Sequence, residues 1–277
     1  MIRKPRRSVL YMPGSNARAL EKARMLAVDC VIFDLEDSVA PEVKVEARDI
    51  ALAAVRAGGY GRREVVVRIN GLDSPWGEAD MAASVAARPD AILVPKVSSA
   101  ADVAQAAAMA RGYPLWVMIE TPLAIFNLKE IGAAAKAANV SCLVLGTNDL
   151  LKDSRMKSRD GLLPALSLAV LAARAHDIDC LDGVYNDFKD ETGFERECQQ
   201  GVELGMDGKT LIHPAQVEAC NRIFSPTEAE QVWARAVIDA FALTENAGKG
   251  VTTVNGKMVE RLHLAMAERI AAMTGML

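Results

Sequence analysis

Leu115-Trp116-Val117-Met118-Ile119-Glu120-Thr121-Pro122 decides how this chain reads. An unbroken apolar run is closed by a carboxylate, and a proline then opens an Ala-rich stretch of helical character. Proline suits a first helical turn because the N–H it lacks is not needed there. A continuous apolar run is the signature of a parallel strand buried on both faces. The same texture recurs outward in both directions. Strands are expected at residues 8–12, 30–36, 64–70, 91–97, 142–147, 180–185 and 209–212, each followed by a helical stretch. With 115–120 this makes eight strand-then-helix units. Eight such units in about 220 residues predict an α/β fold, a (β/α)8 TIM barrel. The competing doubly wound sheet normally carries a glycine fingerprint after its first strand, where this chain has Pro13-Gly14-Ser15-Asn16.

The barrel is expected to occupy residues 1–224. Residues 225–277 form a C-terminal extension that the barrel does not need, expected to cap it or to pack on a neighbouring subunit. Helices are expected there at 226–245 and 257–273, separated by a Gly/Thr/Val segment at 248–255. The whole chain has 277 residues, 51 % hydrophobic and 25 % charged, which excludes extended disorder. A net charge of −4 argues against general nucleic-acid binding. No stretch of about 18 apolar residues appears, so no membrane span is expected. Five scattered cysteines without a CxxC pair suggest neither a disulfide framework nor a zinc site, and point to the cytoplasm.

In such a barrel the chemistry sits where the strands end. The expected strands end repeatedly in polar groups: Asp34-Leu35-Glu36-Asp37, Arg68-Ile69-Asn70, Pro95-Lys96, Glu120-Thr121 and Gly146-Thr147-Asn148-Asp149. Glu120 and Asp149 fall on neighbouring strand ends, about 4.8 Å apart per strand, so they can share one cation. Carboxylates completed by water and substrate oxygens are the usual surroundings of Mg2+. The competing reading is a carboxylate hydrogen-bonded to the next strand's backbone. The three histidines are too scattered for a His-rich metal site. Arg68 can grip a carboxylate or an enolate oxygen through its planar fork, or pair with Glu36 or Asp37. Lys96 could form a Schiff base only if its pKa fell, and the carboxylates nearby favour an electrostatic role. Arg18 and Lys22 lie four apart on one face of the first helix, which is an ordinary solvated face or a phosphate contact.

Several of these stretches together resemble one family. Residues 7–16 and Asp34-Leu35-Glu36-Asp37-Ser38-Val39 resemble the citrate lyase β-subunit family, which includes malyl-CoA and citramalyl-CoA lyases within the HpcH/HpaI aldolases. So do Val67-Arg68-Ile69-Asn70, Pro95-Lys96-Val97, Ile119-Glu120-Thr121, Leu145-Gly146-Thr147-Asn148-Asp149-Leu150 and Ile212-His213-Pro214-Ala215-Gln216. The resemblance runs in order from about residue 6 to 272.

It implies a Mg2+-dependent carbon–carbon lyase that joins or splits an acyl-CoA and a 2-oxo acid by Claisen chemistry. Glu120 and Asp149 would ligate Mg2+. Arg68 would steady the thioester or enolate oxygen, and the backbone at Gly146, Thr147 and Asn148 would hold the oxo-acid carboxylate. Arg18 and Lys22 would contact the phosphates of the coenzyme A thioester. Asp37 would act on the substrate hydroxyl or support the residues that do. The family forms trimers or hexamers whose C-terminal segment reaches a neighbour's site. Where lyases of the family carry Gly-x-Met-x-Asp, this chain has Gly256-Lys257-Met258-Val259-Glu260. Glu260 is therefore the expected acid/base, reaching one methylene further. That change leaves thioester hydrolysis open beside lysis. A carrier-dependent citrate lyase β subunit and a Schiff-base aldolase at Lys96 are the further alternatives.

Overall fold

The computed structural model describes residues 4–246 and 248–274. Residues from Arg6 to Asn221 form one compact unit, and the stretch from Arg222 onward belongs to a second. The first unit is a closed barrel of eight parallel strands in sequence order. They are β1 (Ser8–Pro13), β2 (Cys30–Asp34), β3 (Glu64–Arg68), β4 (Ala91–Val94), β5 (Leu115–Ile119), β6 (Val140–Leu145), β7 (Asp179–Asp182) and β8 (Gly208–Leu211). This is the expected (β/α)8 barrel.

Side chains alternate along each strand, so every second residue points to the axis. The result is a stack of layers. At the N-terminal end Arg6 pairs with Glu64 and Asp179 at 2.8 Å each and lies over the Trp116 ring. Above it Val9, Cys30, Ile32, Val66, Leu93, Trp116 and Val144 pack in one apolar cluster. Two residues further along β1, β2, β3 and β5 come Tyr11, Asp34, Arg68 and Met118, and Glu120 follows two residues after Met118, at the C-terminal mouth. The same alternation therefore buries the middle of each strand and delivers polar groups to one end.

Strand starts match the sequence reading closely, but several expected strands run past the ladder. Leu35, Ile69 and Val97 lie beyond the ends of β2, β3 and β4 yet are buried, so hydrophobicity outlasts regular strand. The expected strand at 142–147 ends at Leu145, and Thr147–Ser154 is helix. Thr147, Asn148 and Asp149 thus sit in a first helical turn, where backbone N–H groups have no partner within the helix.

A second polar cluster lies inside the barrel unit, on the outward face of the sheet. Lys209 is fully buried and pairs with Asp182 at 2.8 Å and with Glu197, while Arg159 grips both Asp182 oxygens at 2.9 Å. Burial alone would raise the Asp182 carboxyl, but Lys209 and Arg159 hold it below the ordinary aspartate value. Removing one member of such a network strands its partners. Lys209→Met is expected to cost about 3 kcal/mol of folding stability, read as a lower denaturation midpoint.

The second unit corrects the sequence reading. Lys257–Glu260 is not the start of the last helix but β10, paired antiparallel with β9 (Val251–Val254). Asn255 and Gly256 close this hairpin with φ of 49° and 76°, as a two-residue turn with left-handed residues requires. The helices are Glu228–Ala242 and Arg261–Thr274. Val237, Phe241, Val254, Val259 and Ala267 form the core of this unit. Among the described residues no helix is long and apolar enough to cross a membrane. All five cysteines are buried and free.

Candidate active site

The mouth holds a cavity of ≈ 310 Å3. Arg68, Asp37, Glu120, Gly146, Thr147, Asn148 and Asp149 all line it. These are the barrel residues expected from the sequence to touch a metal or the substrate's reacting part. Arg18 and Lys22 are exposed on the helix Ala17–Ala23 and lie outside the lining of this cavity. Glu260 closes β10 in the second unit, where its N–H donates to His263 Nδ1 at 2.9 Å.

Arg68 leaves β3 at the register position opposite Asp34 on β2. The pair is bidentate, with Nε to Oδ1 at 2.6 Å and Nη2 to Oδ2 at 2.7 Å. Nη1 faces Asp37 at 3.1 Å and Glu36 at 3.0 Å, and the guanidinium lies over the Tyr11 ring at 4.8 Å. Burial opposes the charge, yet Asp34 and its neighbours hold the Arg68 pKa well above the ordinary value. The cation is therefore permanent and fixed in direction. Among the sequence-level partners, Glu36 and Asp37 are both present. The principal one, Asp34, carried a readable signal: it shares the inward face of β2 with Cys30 and Ile32.

Glu36 is buried between two cations, Arg68 Nη1 at 3.0 Å and Lys96 Nζ at 3.1 Å. Neither contact is aligned as a hydrogen bond, so both carboxylate oxygens keep unfilled acceptor positions. Burial pushes the Glu36 carboxyl above its usual range. Lys96 carries the opposite consequence. Burial would lower its pKa, but Glu36, Asp37 and Glu120 together raise it. A lysine held charged is a poor amine nucleophile, which counts against Schiff-base chemistry.

Glu120 follows β5 and is 2 % exposed. Its Oε1 accepts the Lys96 backbone N–H at 2.6 Å. Lys96 reaches this contact in a left-handed conformation, φ 56°, costly for a residue with a Cβ. A carboxylate–backbone bond of the competing kind is thus present, but to the residue past the preceding strand β4 rather than to the next strand, and it occupies one oxygen only. A Cβ on Gly146 would lie 2.6 Å from Glu120 Oε2, so the helix start can approach that oxygen only as glycine. Burial first and Glu36 second push the Glu120 carboxyl up to about 7, with Asp149 acting in the same sense.

A buried carboxylate raised by neighbouring carboxylates, as Glu120 is, is a group whose charge a divalent cation would relieve. Only oxygen ligands are on offer here, which suits Mg2+ rather than zinc. Among the described residues no three His, Cys, Asp or Glu side chains gather as a cage. A cation between Glu120 and Asp149 would have to draw its other ligands from water and substrate, as Mg2+ commonly does. One pH prediction follows. Because Glu120 must lose its proton first, Mg2+ affinity should tighten about tenfold per pH unit from pH 5 to 7 and level off above. The sign is reversed for the metal-free fold. With a folded pKa of about 7 against an ordinary 4.5, Glu120 works against stability as pH rises through that window. Calorimetric Mg2+ titrations at pH 6, 7 and 8 check the first trend.

A model of the HpcH/HpaI aldolase/citrate lyase family matches residues 7–214, essentially the whole barrel. The chain belongs to that family. A (3S)-malyl-CoA thioesterase of Cereibacter sphaeroides is 50 % identical over 278 residues, covering 97 % of this chain and 96 % of the relative. The citrate lyase subunit beta of Leuconostoc mesenteroides subsp. cremoris is 36 % identical, covering 96 % and 92 %. Among solved structures, CitE of Mycobacterium tuberculosis with magnesium, acetoacetate and coenzyme A superposes with TM-score 0.76. It is 28 % identical and covers 98 % of both chains. For this HpcH/HpaI family member, the comparison extends through the second unit as well as the barrel.

Proposed function

We propose that this chain is a Mg2+-dependent carbon–carbon lyase for 3-hydroxyacyl-CoA thioesters of the malyl-CoA or citramalyl-CoA class. The observation that carries the reading is the shared cavity of Arg68, locked by Asp34, and the Glu120/Asp149 carboxylates. Glu120 and Asp149 would hold the magnesium ion, which would supply Lewis-acid charge at the oxo-acid end of the substrate. The N–H groups at the start of helix Thr147–Ser154 hold the carboxylate of that acid. Asp37, exposed at the mouth, takes the proton of the 3-hydroxyl. That carbon becomes a carbonyl as its bond to the carbon beside the thioester breaks. The electron pair remains as the thioester enolate, whose oxygen Arg68 stabilises. Glu260, brought by a second copy of the chain in a trimer or hexamer, returns a proton to carbon and releases acetyl-CoA or propionyl-CoA. Arg18 and Lys22 meet the phosphates of CoA. Buried free thiols support a reducing, cytoplasmic setting.

Thioester hydrolysis is the second reading. Two observations favour it: the 50 % identity to a malyl-CoA thioesterase and the presence of Glu260 where lyases carry Asp. The 36 % identity to a citrate lyase subunit beta leaves a carrier-dependent citryl lyase as a third. The test is a screen of malyl-, methylmalyl-, citramalyl- and citryl-CoA with Mg2+ and with EDTA. Turnover of at least one free thioester, lost with EDTA and restored by Mg2+, is expected. Turnover of none by the folded protein contradicts the reading.

A further inference from the structure

A second, solvent-open cavity, here the rear cavity, adjoins the mouth, and an exposed pair of amides lies on the side the two share. Asn148 Nδ2 donates to Asn186 Oδ1 at 3.2 Å, and Asn186 Nδ2 donates back to Asn148 Oδ1 at 2.8 Å. Asn148 belongs to the helix after β6, and Asn186 to the loop after β7. The reciprocal bond therefore clasps two neighbouring strand-end segments together. The rear cavity measures ≈ 280 Å3, against ≈ 310 Å3 for the mouth. Thr147, Asn148, Val184 and Asn186 line both. The two spaces share a wall, and the clasp is part of it.

The chemistry of the rear space restricts what it can accept. Leu151, Leu162 and Val184 supply apolar surface. Arg159 is the cation there, but its guanidinium is committed, Nε to Gln200 and both Nη to Asp182. Glu197 is paired with Lys209. The remaining charge on the wall is the Asp187 carboxylate. An anionic group entering this space meets a carboxylate and no disengaged guanidinium. An alkyl branch meets leucine and valine.

We propose that the rear cavity is an extension subsite for the oxo-acid half of the substrate, gated by the Asn148–Asn186 clasp. It takes an uncharged alkyl branch and refuses a second carboxylate. With the clasp shut, the site holds short oxo acids. With it open, the two cavities join and longer ones fit. The proposal rests on the mouth being where the oxo acid binds.

The test measures binding of pyruvate, 2-oxopentanoate and oxaloacetate in the presence of Mg2+ by calorimetry, so it does not depend on turnover. Asn186→Ala opens the clasp at an exposed position. It is expected to raise the 2-oxopentanoate to pyruvate affinity ratio about tenfold or more, the usual worth of accommodating methylenes in an apolar pocket. Oxaloacetate should not gain. Adding Leu151→Phe, which fills the rear cavity alone, should cancel the increase. An unchanged ratio with pyruvate still bound overturns the gate while leaving the mouth assignment intact. A gain that survives Leu151→Phe, or that oxaloacetate shares, also overturns it. Absence of binding of any of the three acids to the unmodified protein takes down the mouth assignment and the gate together.

Discussion

Glu120→Gln should lower kcat/KM by about three orders of magnitude and abolish its dependence on Mg2+, while the protein stays folded. The change keeps the shape and leaves a carbonyl oxygen for the Lys96 N–H, which Glu120 accepts at 2.6 Å. It removes the negative charge that a cation needs. Losing several kcal/mol of transition-state charge stabilisation corresponds to about a thousandfold, at about 1.4 kcal/mol per factor of ten. Stability should hold or rise near neutral pH, because a carboxyl pushed up to about 7 by burial and Glu36 is replaced by a neutral amide. Steady-state kinetics across Mg2+ concentrations, with circular dichroism as the folding control, decide it. Retained activity with an ordinary Mg2+ response would remove Glu120 from the metal site.

The second large effect concerns Arg68, which serves both stability and chemistry. Arg68→Met leaves Asp34, itself 1 % exposed, and Glu36 in the barrel mouth without their shared cation. Stranding a buried carboxylate costs about 3–5 kcal/mol, so the midpoint of thermal unfolding should fall by many degrees. Activity should fall by about two to three orders of magnitude through loss of the enolate's partner. The double variant Arg68→Met/Asp34→Asn separates the roles. It should recover most of the stability and none of the activity. Recovery of both would make Arg68 purely structural.

What the sequence made legible follows from how a barrel is built. A strand buried on both faces is apolar throughout, so all eight stood out, and Cys30, Glu64, Ala91 and Leu115 begin their strands as expected. Ends were harder, because Leu35 and Ile69 still donate to Arg68 and Leu93 carbonyls beyond the assigned ladder. The mouth was legible because strand ends have fixed addresses, which gave Arg68, Glu120 and Asp149. Pairings across the sheet were not. Asp34 as the anchor of Arg68, and the Asp182–Lys209–Arg159 network, join residues 23 to 34 positions apart that no local spacing connects. The hairpin at Asn255-Gly256 had a strong turn signal, but the apolar Met258-Val259 beside it also fits a helix start. Lys96 stands apart from all of these. Its left-handed backbone turns an N–H onto Glu120, a role independent of its side chain.

The most direct measurement is the initial-rate product ratio from malyl-CoA and citramalyl-CoA with saturating Mg2+. Acetyl-CoA and the 2-oxo acid should appear together in equal amounts, ahead of any free CoA. Free CoA formed with intact hydroxy acid, and no acetyl-CoA, would contradict carbon–carbon cleavage and assign the same residues to thioester hydrolysis.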